Sequence, residues 1–208
     1  MAAAAAIFCF APPCGGTEEE TPVLETKRLI LRPWEDGDAE DLYRCASSPL
    51  VGPAAGWPAH TSVEDSLAII RGVLSAPETY AVVPRATGRA AGSVGLTAGG
   101  ASHLGLPDTQ GELGYWIGVP FWGQGLIPEA AEALLRRGFL ELGLEEIWCG
   151  YFDGNGKSRR VQEKCGFVYR HTRERVPCSM LDETRTEHIA SLTRADWARR
   201  QAGGSPRG

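Results

Sequence analysis

Gly111-Glu112-Leu113-Gly114-Tyr115-Trp116-Ile117-Gly118-Val119-Pro120-Phe121-Trp122-Gly123-Gln124-Gly125-Leu126-Ile127-Pro128-Glu129-Ala130-Ala131 is the stretch from which the fold can be read. Its first part, Glu112 to Ile117, is aromatic and β-prone and predicts a strand. Gly123-Gln124-Gly125 then makes a turn, and Pro128 suits the first turn of a helix, where the missing N–H is not needed. Downstream, Ala130, Ala131, Leu134, Leu135, Gly138, Phe139 and Leu142 recur at offsets of three and four, so a helix over residues 127–142 should bury one stripe. A strand that runs into Gly-x-Gly at a helix start is physically an anion site, because free backbone amides and the positive helix end face the same point. Alone the turn is a weak signal, since such turns also serve packing. Pro128 occupies the place where a dinucleotide fingerprint has its third glycine.

Toward the C-terminus, residues 146–152 predict a buried strand, and Asn155 caps a helix that ends at Gly166. Residues 167–170 and 187–193 predict two last strands with a long connection between them. Toward the N-terminus, residues 28–32 predict a strand closed by Pro33, and residues 38–47 a helix. Pro49, Pro53 and Pro58 make residues 48–60 a loop, in which Trp57 and His60 stand out. Thr61-x-x-Glu64 has the form of a capping box opening a helix to about residue 74. Residues 79–83 and 91–97, about a turn at Thr87-Gly88, predict a hairpin. The order gives an α+β fold, with a mixed, mostly antiparallel central sheet flanked by helices.

The chain has 208 residues, a length that one compact domain accounts for. We expect a flexible N-terminal tail over residues 1–22, a domain over 23–198 and a flexible C-terminal tail over 199–208. A formal net charge of -5 offers no global attraction for nucleic acid or an acidic membrane. No stretch approaches the roughly 18 apolar residues of a membrane span. The apolar run over residues 1–10 lacks the basic start of a secretory signal, so the expected location is cytoplasmic. Cys9, Cys14, Cys45, Cys149, Cys165 and Cys178 form no C-x-x-C pair, which predicts reduced thiols and no metal site.

Together these segments resemble the GNAT acyltransferase superfamily, in its branch of RimJ/RimL-type N-acetyltransferases. The resemblance covers about residues 24–197 and is carried by Leu24-Glu25-Thr26-Lys27-Arg28-Leu29-Ile30-Leu31-Arg32, Gly111 to Ile117, Phe121 to Gly125 with Glu129-Ala130, Asn155-Gly156-Lys157-Ser158, Glu163-Lys164-Cys165-Gly166-Phe167 and Leu192-Thr193-Arg194-Ala195-Asp196-Trp197. It implies the GNAT fold, acetyl-CoA as co-substrate without a metal, and direct transfer of the acetyl group to a primary amine. The acceptor it implies is a protein N-terminal α-amine, with a small-molecule amine or aminoglycoside as the alternative. The superfamily's pyrophosphate loop, Gln/Arg-x-x-Gly-x-Gly/Ala, falls on Trp122, Gly125 and Ile127, so Ile127 stands where a small residue is usual and is expected to push the helix start outward.

By the same resemblance, Trp122, Gly123, Gln124, Gly125, Leu126 and Ile127 hold the pyrophosphate, while the splayed strand end at Trp116, Ile117, Gly118 and Val119 pairs with the pantetheine arm. Asn155 and Ser158 lie beside the coenzyme, with Ser158 also a candidate acid for the leaving thiolate and Glu112 the candidate general base. Trp57 and His60 fall on the loop over the acceptor. From residue chemistry alone, Glu112 reads equally as a solvated strand-end carboxylate, Asn155 as a plain N-cap, and His103 and His188 as packing residues. Two other classes share the turn. A nucleotide-dependent oxidoreductase, with Asp153 on the ribose, fails on the third glycine and the early antiparallel strands. A non-catalytic CoA-binding domain would keep the loop and dispense with the base.

Overall fold

The computed structural model describes residues 21–203. The expected N-terminal tail, with Cys9, Cys14 and the apolar run, lies outside the described residues but for residues 21 and 22. One sheet of eight strands organises the rest: β1 (Leu24–Glu25), β2 (Leu29–Arg32), β3 (Thr79–Pro84), β4 (Gly92–Ala98), β5 (Gln110–Ile117), β6 (Glu146–Phe152), β7 (Val168–Cys178) and β8 (Glu183–Thr193). Their order is β1-β2-β3-β4-β5-β6-β8-β7. Every pairing is antiparallel except β5 with β6.

Alternation along the central strands sends side chains to two separate cores. Leu113, Tyr115 and Ile117 of β5 join Tyr80 and Val82 of β3 beneath α4 (Leu126–Leu140), α5 (Gly156–Cys165) and α6 (Arg194–Ala202). Trp116, Ala81 and Val83 face the other way, toward α1 (Ala39–Ala46), α2 (Gly52–Ala55) and α3 (Val63–Ile69), which a π-helical turn at Ile70–Leu74 extends. The stripe expected on α4 is buried from Ala130 to Phe139, but Leu142 lies beyond the helix end and is 38% exposed.

Four local readings are corrected. The α3 cap is Ser62, whose hydroxyl accepts from Asp65 N at 3.1 Å, while Asp65 Oδ2 accepts from Thr61 N at 2.8 Å. The cap therefore sits one residue later than Thr61-x-x-Glu64 predicts, and the reciprocal box is not formed, since Asp65 reaches the backbone of Thr61 rather than that of Ser62. The loop over residues 48–60 contains the single turn α2, with Pro53 in its first turn and Gly56, at φ +94°, ending it. The long connection over residues 171–186 is instead the outer part of a ribbon: β7 and β8 continue as a pair to a short turn at Ser179–Leu181. Its sequence is mostly polar because β7 is an edge strand largely exposed as far as Arg175, with only Val176 and Cys178 buried beyond, and it is interrupted by irregularities at Tyr169/His171 and Arg173/Val176. Finally, residues 199–202, expected in the C-terminal tail, continue α6, which Thr193 caps by accepting from Asp196 N at 3.1 Å.

The feature that shapes the site is the parting of β5 from β6. They pair only at Gln110 with Glu146, Gly111 with Ile147 and Glu112 with Trp148; beyond this β6 follows β8 while β5 stays with β4. The donation from Gly118 N to Ala91 O, at 2.8 Å, sets the phase of the β4–β5 ladder. Even-numbered residues of β5 thus bond β4, and Leu113, Tyr115 and Ile117 direct backbone groups to the open side. Close packing of α4 against the sheet depends on Gly138, where an added Cβ would lie 2.8 Å from both Ile147 Cδ1 and Leu96 Cδ2. Gly138→Val should cost about 1–3 kcal/mol by overpacking, lowering the thermal midpoint by about 2–4 °C per kcal/mol; an unchanged melting curve would show that α4 does not need this approach.

Candidate active site

The turn after β5 is shaped to present amides. Gly123 (φ +76°) and Gly125 (φ +71°) are left-handed and Gln124 between them is not, the alternation that lines backbone N–H groups into an anion-binding concavity. Helix α4 begins at once with Leu126 and Ile127, whose amides lie in the first turn and lack intrahelical partners. Arg28, on the β1–β2 hairpin, holds the turn from behind: its Nη1 and Nη2 donate to Gln124 O and Gly125 O at 2.8 and 3.1 Å. Glu129 fixes the guanidinium by accepting from Arg28 Nε at 2.6 Å, and accepts from Thr26 Oγ1 at 2.6 Å. With the carbonyls engaged on the Arg28 side, the amides are left for a ligand. Ile127, the residue expected to crowd the turn, is buried in the core beneath the sheet.

Trp122 closes the strand end, its Nε1 donating to Ile117 O at 2.9 Å. The Lys157 ammonium lies 3.3 Å from the centre of the Trp122 ring, so a cation from the start of α5 stands beside the turn. Across the parting, Asn155 caps α5 by accepting from Ser158 N at 3.2 Å, and its Nδ2 donates to Ala54 O at 3.3 Å, which joins the α5 start to α2. Ser158 is fully buried, and Tyr115 Oη lies 3.0 Å from its Oγ and 3.1 Å from its carbonyl oxygen. Burial pushes the Tyr115 phenol well above its ordinary range, so it stays protonated.

Glu112 is not a solvated strand-end residue. It is 4% exposed, on the same face of β5 as Trp116, at the last pair before β6 departs. Its Oε2 accepts from Ser102 Oγ at 2.5 Å and from His103 Nδ1 at 2.9 Å. Nδ1 is also 2.8 Å from Oε1, but without the alignment of a hydrogen bond, and Oε1 has no partner among the described residues. The other ring nitrogen of His103 lies 3.1 Å from Oε1 of the fully buried Glu187. Burial works against charge on this ring, but hydrogen bonds and attraction from both carboxylates outweigh it and raise its pKa to about 9. Gly150 of β6 leaves the room for Glu187, since a Cβ there would lie 2.3 Å from Glu187 Oε1.

On this same face, Trp57 meets Trp116 edge-on with ring centres 5.8 Å apart, and His60 tilts against Trp57 at 5.4 Å. Gly52 permits this, because a Cβ there would overlap the Trp57 ring. His60 Nδ1 lies 2.8 Å from Ser66 Oγ, and burial lowers its pKa, so the ring is neutral at pH 7. A largely apolar cavity of about 450 Å³ lies between α1, α3 and this loop, walled by Leu42, Trp57, His60, Ile69, Trp116 and Met180. A second hollow of about 600 Å³ lies between α5 and the β7–β8 ribbon, where His188 Nε2 is 3.2 Å from Asp153 Oδ1; none of the predicted site residues lines it. Cys149 and Cys165 are buried and their thiols are pushed upward, so they are protonated and inert, as the sequence predicts.

The structure therefore gathers Trp122 to Ile127, the free edge of β5, Asn155 and Ser158 on one side, with Glu112, Trp57 and His60 on the other. Trp116 and Gly118 turn backbone groups to the β4 side rather than to the parting, so Tyr115 and the amide of Ile117, whose carbonyl is held by Trp122, carry the free edge. Sequence reading missed Arg28 as the clamp, Lys157 as the nearby cation and Glu187 altogether, and it gave His103 only packing. Spacing in the chain holds no trace of a contact between residues 103, 112 and 187, which come from three different segments. Among the described residues no group of three or more His, Cys, Asp or Glu is arranged to hold a metal ion, and no helix is long and apolar enough to cross a membrane.

Comparison with known proteins gives this arrangement its class. Residues 28–168 match the family described as Acetyltransferase (GNAT) domain. The uncharacterized N-acetyltransferase YoaA of Bacillus subtilis (strain 168) is 30% identical over 151 residues, which is 70% of this chain and 82% of that protein. Among solved structures, a GNAT-family acetyltransferase from Bacillus anthracis superposes with a TM-score of 0.73 at 20% identity, over 84% of this chain and 99% of that one. A ribosomal-protein-S5-alanine acetyltransferase from Vibrio fischeri does so at 0.66 and 18% identity, over 85% and 98%. The chain thus belongs to the GNAT acetyltransferase family and is an acetyl-CoA-dependent N-acetyltransferase. The residues present suit that co-substrate: an amide-lined turn braced by Arg28, an unpaired strand edge and a cation at Lys157 answer in turn to pyrophosphate, amide-bearing arm and phosphate charge.

Two outcomes are expected. Arg28→Ala should loosen the turn and weaken acetyl-CoA binding several-fold, about the loss of one or two charge-assisted hydrogen bonds, read by calorimetry; unchanged binding would remove Arg28 from the cradle. The raised pKa of His103 adds stability that is fully present below the unfolded value of about 6.5 and lost as pH rises through about 9. The thermal midpoint should fall across this interval, and His103→Gln should flatten that part of the profile.

Proposed function

We propose that this enzyme acetylates a primary amine by direct attack within a ternary complex, with Glu112 as general base. The observation that carries this reading is the buried carboxylate at the last β5–β6 pair, with one oxygen fixed by two donors and the other without a hydrogen bond. The amine nitrogen forms its bond to the thioester carbonyl carbon, the carbon–sulfur bond breaks with its electron pair leaving on sulfur as the CoA thiolate, and the proton shed by nitrogen passes to Glu112 Oε1. Backbone N–H groups on the open side of β5 stabilise the carbonyl oxygen in this reading as it gains charge. Ser158, held by Tyr115, forms the hydrogen-bonding end of the thiol site, and Asn155 orients the α5 start beside the arm. Acetyl transfer in this way needs no acyl-enzyme, in keeping with the buried, protonated cysteines.

For the acceptor, a protein N-terminal α-amine is the first choice. The Vibrio fischeri protein of this fold is a ribosomal-protein-S5-alanine acetyltransferase, and an α-amine of pKa about 7.7–8.0 gives up its proton near neutrality more readily than a lysine does. A small amine with an apolar body is the second reading, favoured by the largely apolar cavity beside Trp57, His60 and Trp116. Acetyl-CoA turnover against peptides beginning with Ala or Ser, set beside a panel of small amines and aminoglycosides, decides between them. With the best amine, Glu112→Gln should lower kcat by about 10²–10⁴ while acetyl-CoA binding stays unchanged. Wild-type turnover in this variant would remove Glu112 as the base, and loss of coenzyme binding would assign it to the cradle.

A further inference from the structure

The imidazole of His103 stands between two carboxylates, neither of which is in solvent. A neutral imidazole has one N–H, and ionised carboxylates only accept. With Nδ1 2.9 Å from Glu112 Oε2 and Nε2 3.1 Å from Glu187 Oε1, both nitrogens must donate if both carboxylates are ionised. The side chain of His103 is 14% exposed, that of Glu112 4% and that of Glu187 fully buried, so these charges are screened little by water. The charged groups gathered about the ring come from three elements: Glu112 on β5, Glu187 on β8 and Arg173 on β7 with Nη1 3.4 Å from Glu187 Oε2, while the thiol of Cys149 on β6 lies on the opposite face of the sheet and feels only the charge of Glu112. Ser102, next to His103 in the chain, adds the second donor to Glu112 Oε2.

A core built for stability alone would place apolar side chains here, because breaking or burying such charges is expensive. The row Glu112–His103–Glu187–Arg173 instead has one functional end. Both donors act on Oε2 of Glu112, leaving Oε1 as its only oxygen without a hydrogen bond. Resting on the assignment of Glu112 as the base, we propose that His103 is a positioning residue for acetyl transfer: as an imidazolium shared with Glu187, it keeps Glu112 ionised and fixed through Oε2, so that Oε1 takes the proton of the acceptor amine. His103 keeps its own protons throughout and is not a relay. Glu187 acts one step further back, by holding the imidazolium charge, and Arg173 offsets the carboxylate left over.

The test separates charge from shape. In the full chain labelled with 15N at histidine, long-range 1H–15N spectra report the protonation of both ring nitrogens without any acceptor. At pH 7.5 both nitrogens of His103 should carry protons, with a titration midpoint near 9, and Glu187→Gln should move that midpoint down by about one unit or more. With the best amine from the acceptor panel, kcat should fall at alkaline pH with the same midpoint, and Glu187→Gln should move that fall equally. His103→Gln, which keeps a neutral N–H donor, should lower kcat about tenfold or more, abolish the alkaline fall and leave KM for acetyl-CoA unchanged. A ring with one proton at pH 7.5 in the wild-type protein overturns the proposal, as does a kcat profile that stays put while the midpoint of His103 moves. Full activity in Glu112→Gln with a doubly protonated His103 would instead sink the base assignment and leave the charge state standing.

Discussion

Everything in this fold that concerns chemistry depends on β5 leaving β6 after Glu112. A continuous sheet would satisfy both edges of β5 and bury the start of α5 behind a closed ladder. Because the strands part, the backbone groups of Tyr115 and the amide of Ile117 need a partner that the sheet does not supply, and buried amides do not tolerate being left without one. The parting is stable because each strand is fully paired on its other side, β5 with β4 and β6 with β8. It also separates two roles by face. The odd-numbered side chains of β5 point to the core under α4 and α5, while Glu112 and Trp116 point to the face under α1–α3.

Much of the architecture was legible because it is written in local chemistry. The Gly123-Gln124-Gly125 turn, Pro128, the α4 stripe and the Asn155 cap each have one dominant physical reading, and the structure has these features where they were expected. The outer β7–β8 ribbon was not legible for the opposite reason: most of its side chains are exposed, and the two buried apolar ones, Val176 and Cys178, are too few to show a period. The cap at α3 slipped by one residue because Thr61-Ser62-Val63-Glu64-Asp65 holds two overlapping hydroxyl-to-carboxylate spacings, and only backbone geometry chooses between them.

The candidate site divides in the same way. Residues at the turn and at α5 were found because they lie within motifs, whereas Arg28 reaches Gln124 across 96 residues, Glu187 meets His103 across 84, and His103 meets Glu112 across nine from an irregular connection. Glycine was informative only in part. Gly123 and Gly125 announce themselves beside a helix start, but Gly150, in the middle of a buried strand, reads as a weak spot until Glu187 is seen lying across it.

The two rims of the sheet also differ in kind. At one rim β1 offers only two residues, too few for another chain to align on. At the other, β7 is eleven residues long and open, yet it bends at two irregularities and carries Arg170, Arg173, Glu174 and Arg175, the last at φ +54°. A flat neighbouring strand could not follow that rim without burying charge or losing register. The same ribbon that brings Glu187 beside His103 thus also guards the protein against adding strands edge to edge, so its irregularity works against aggregation.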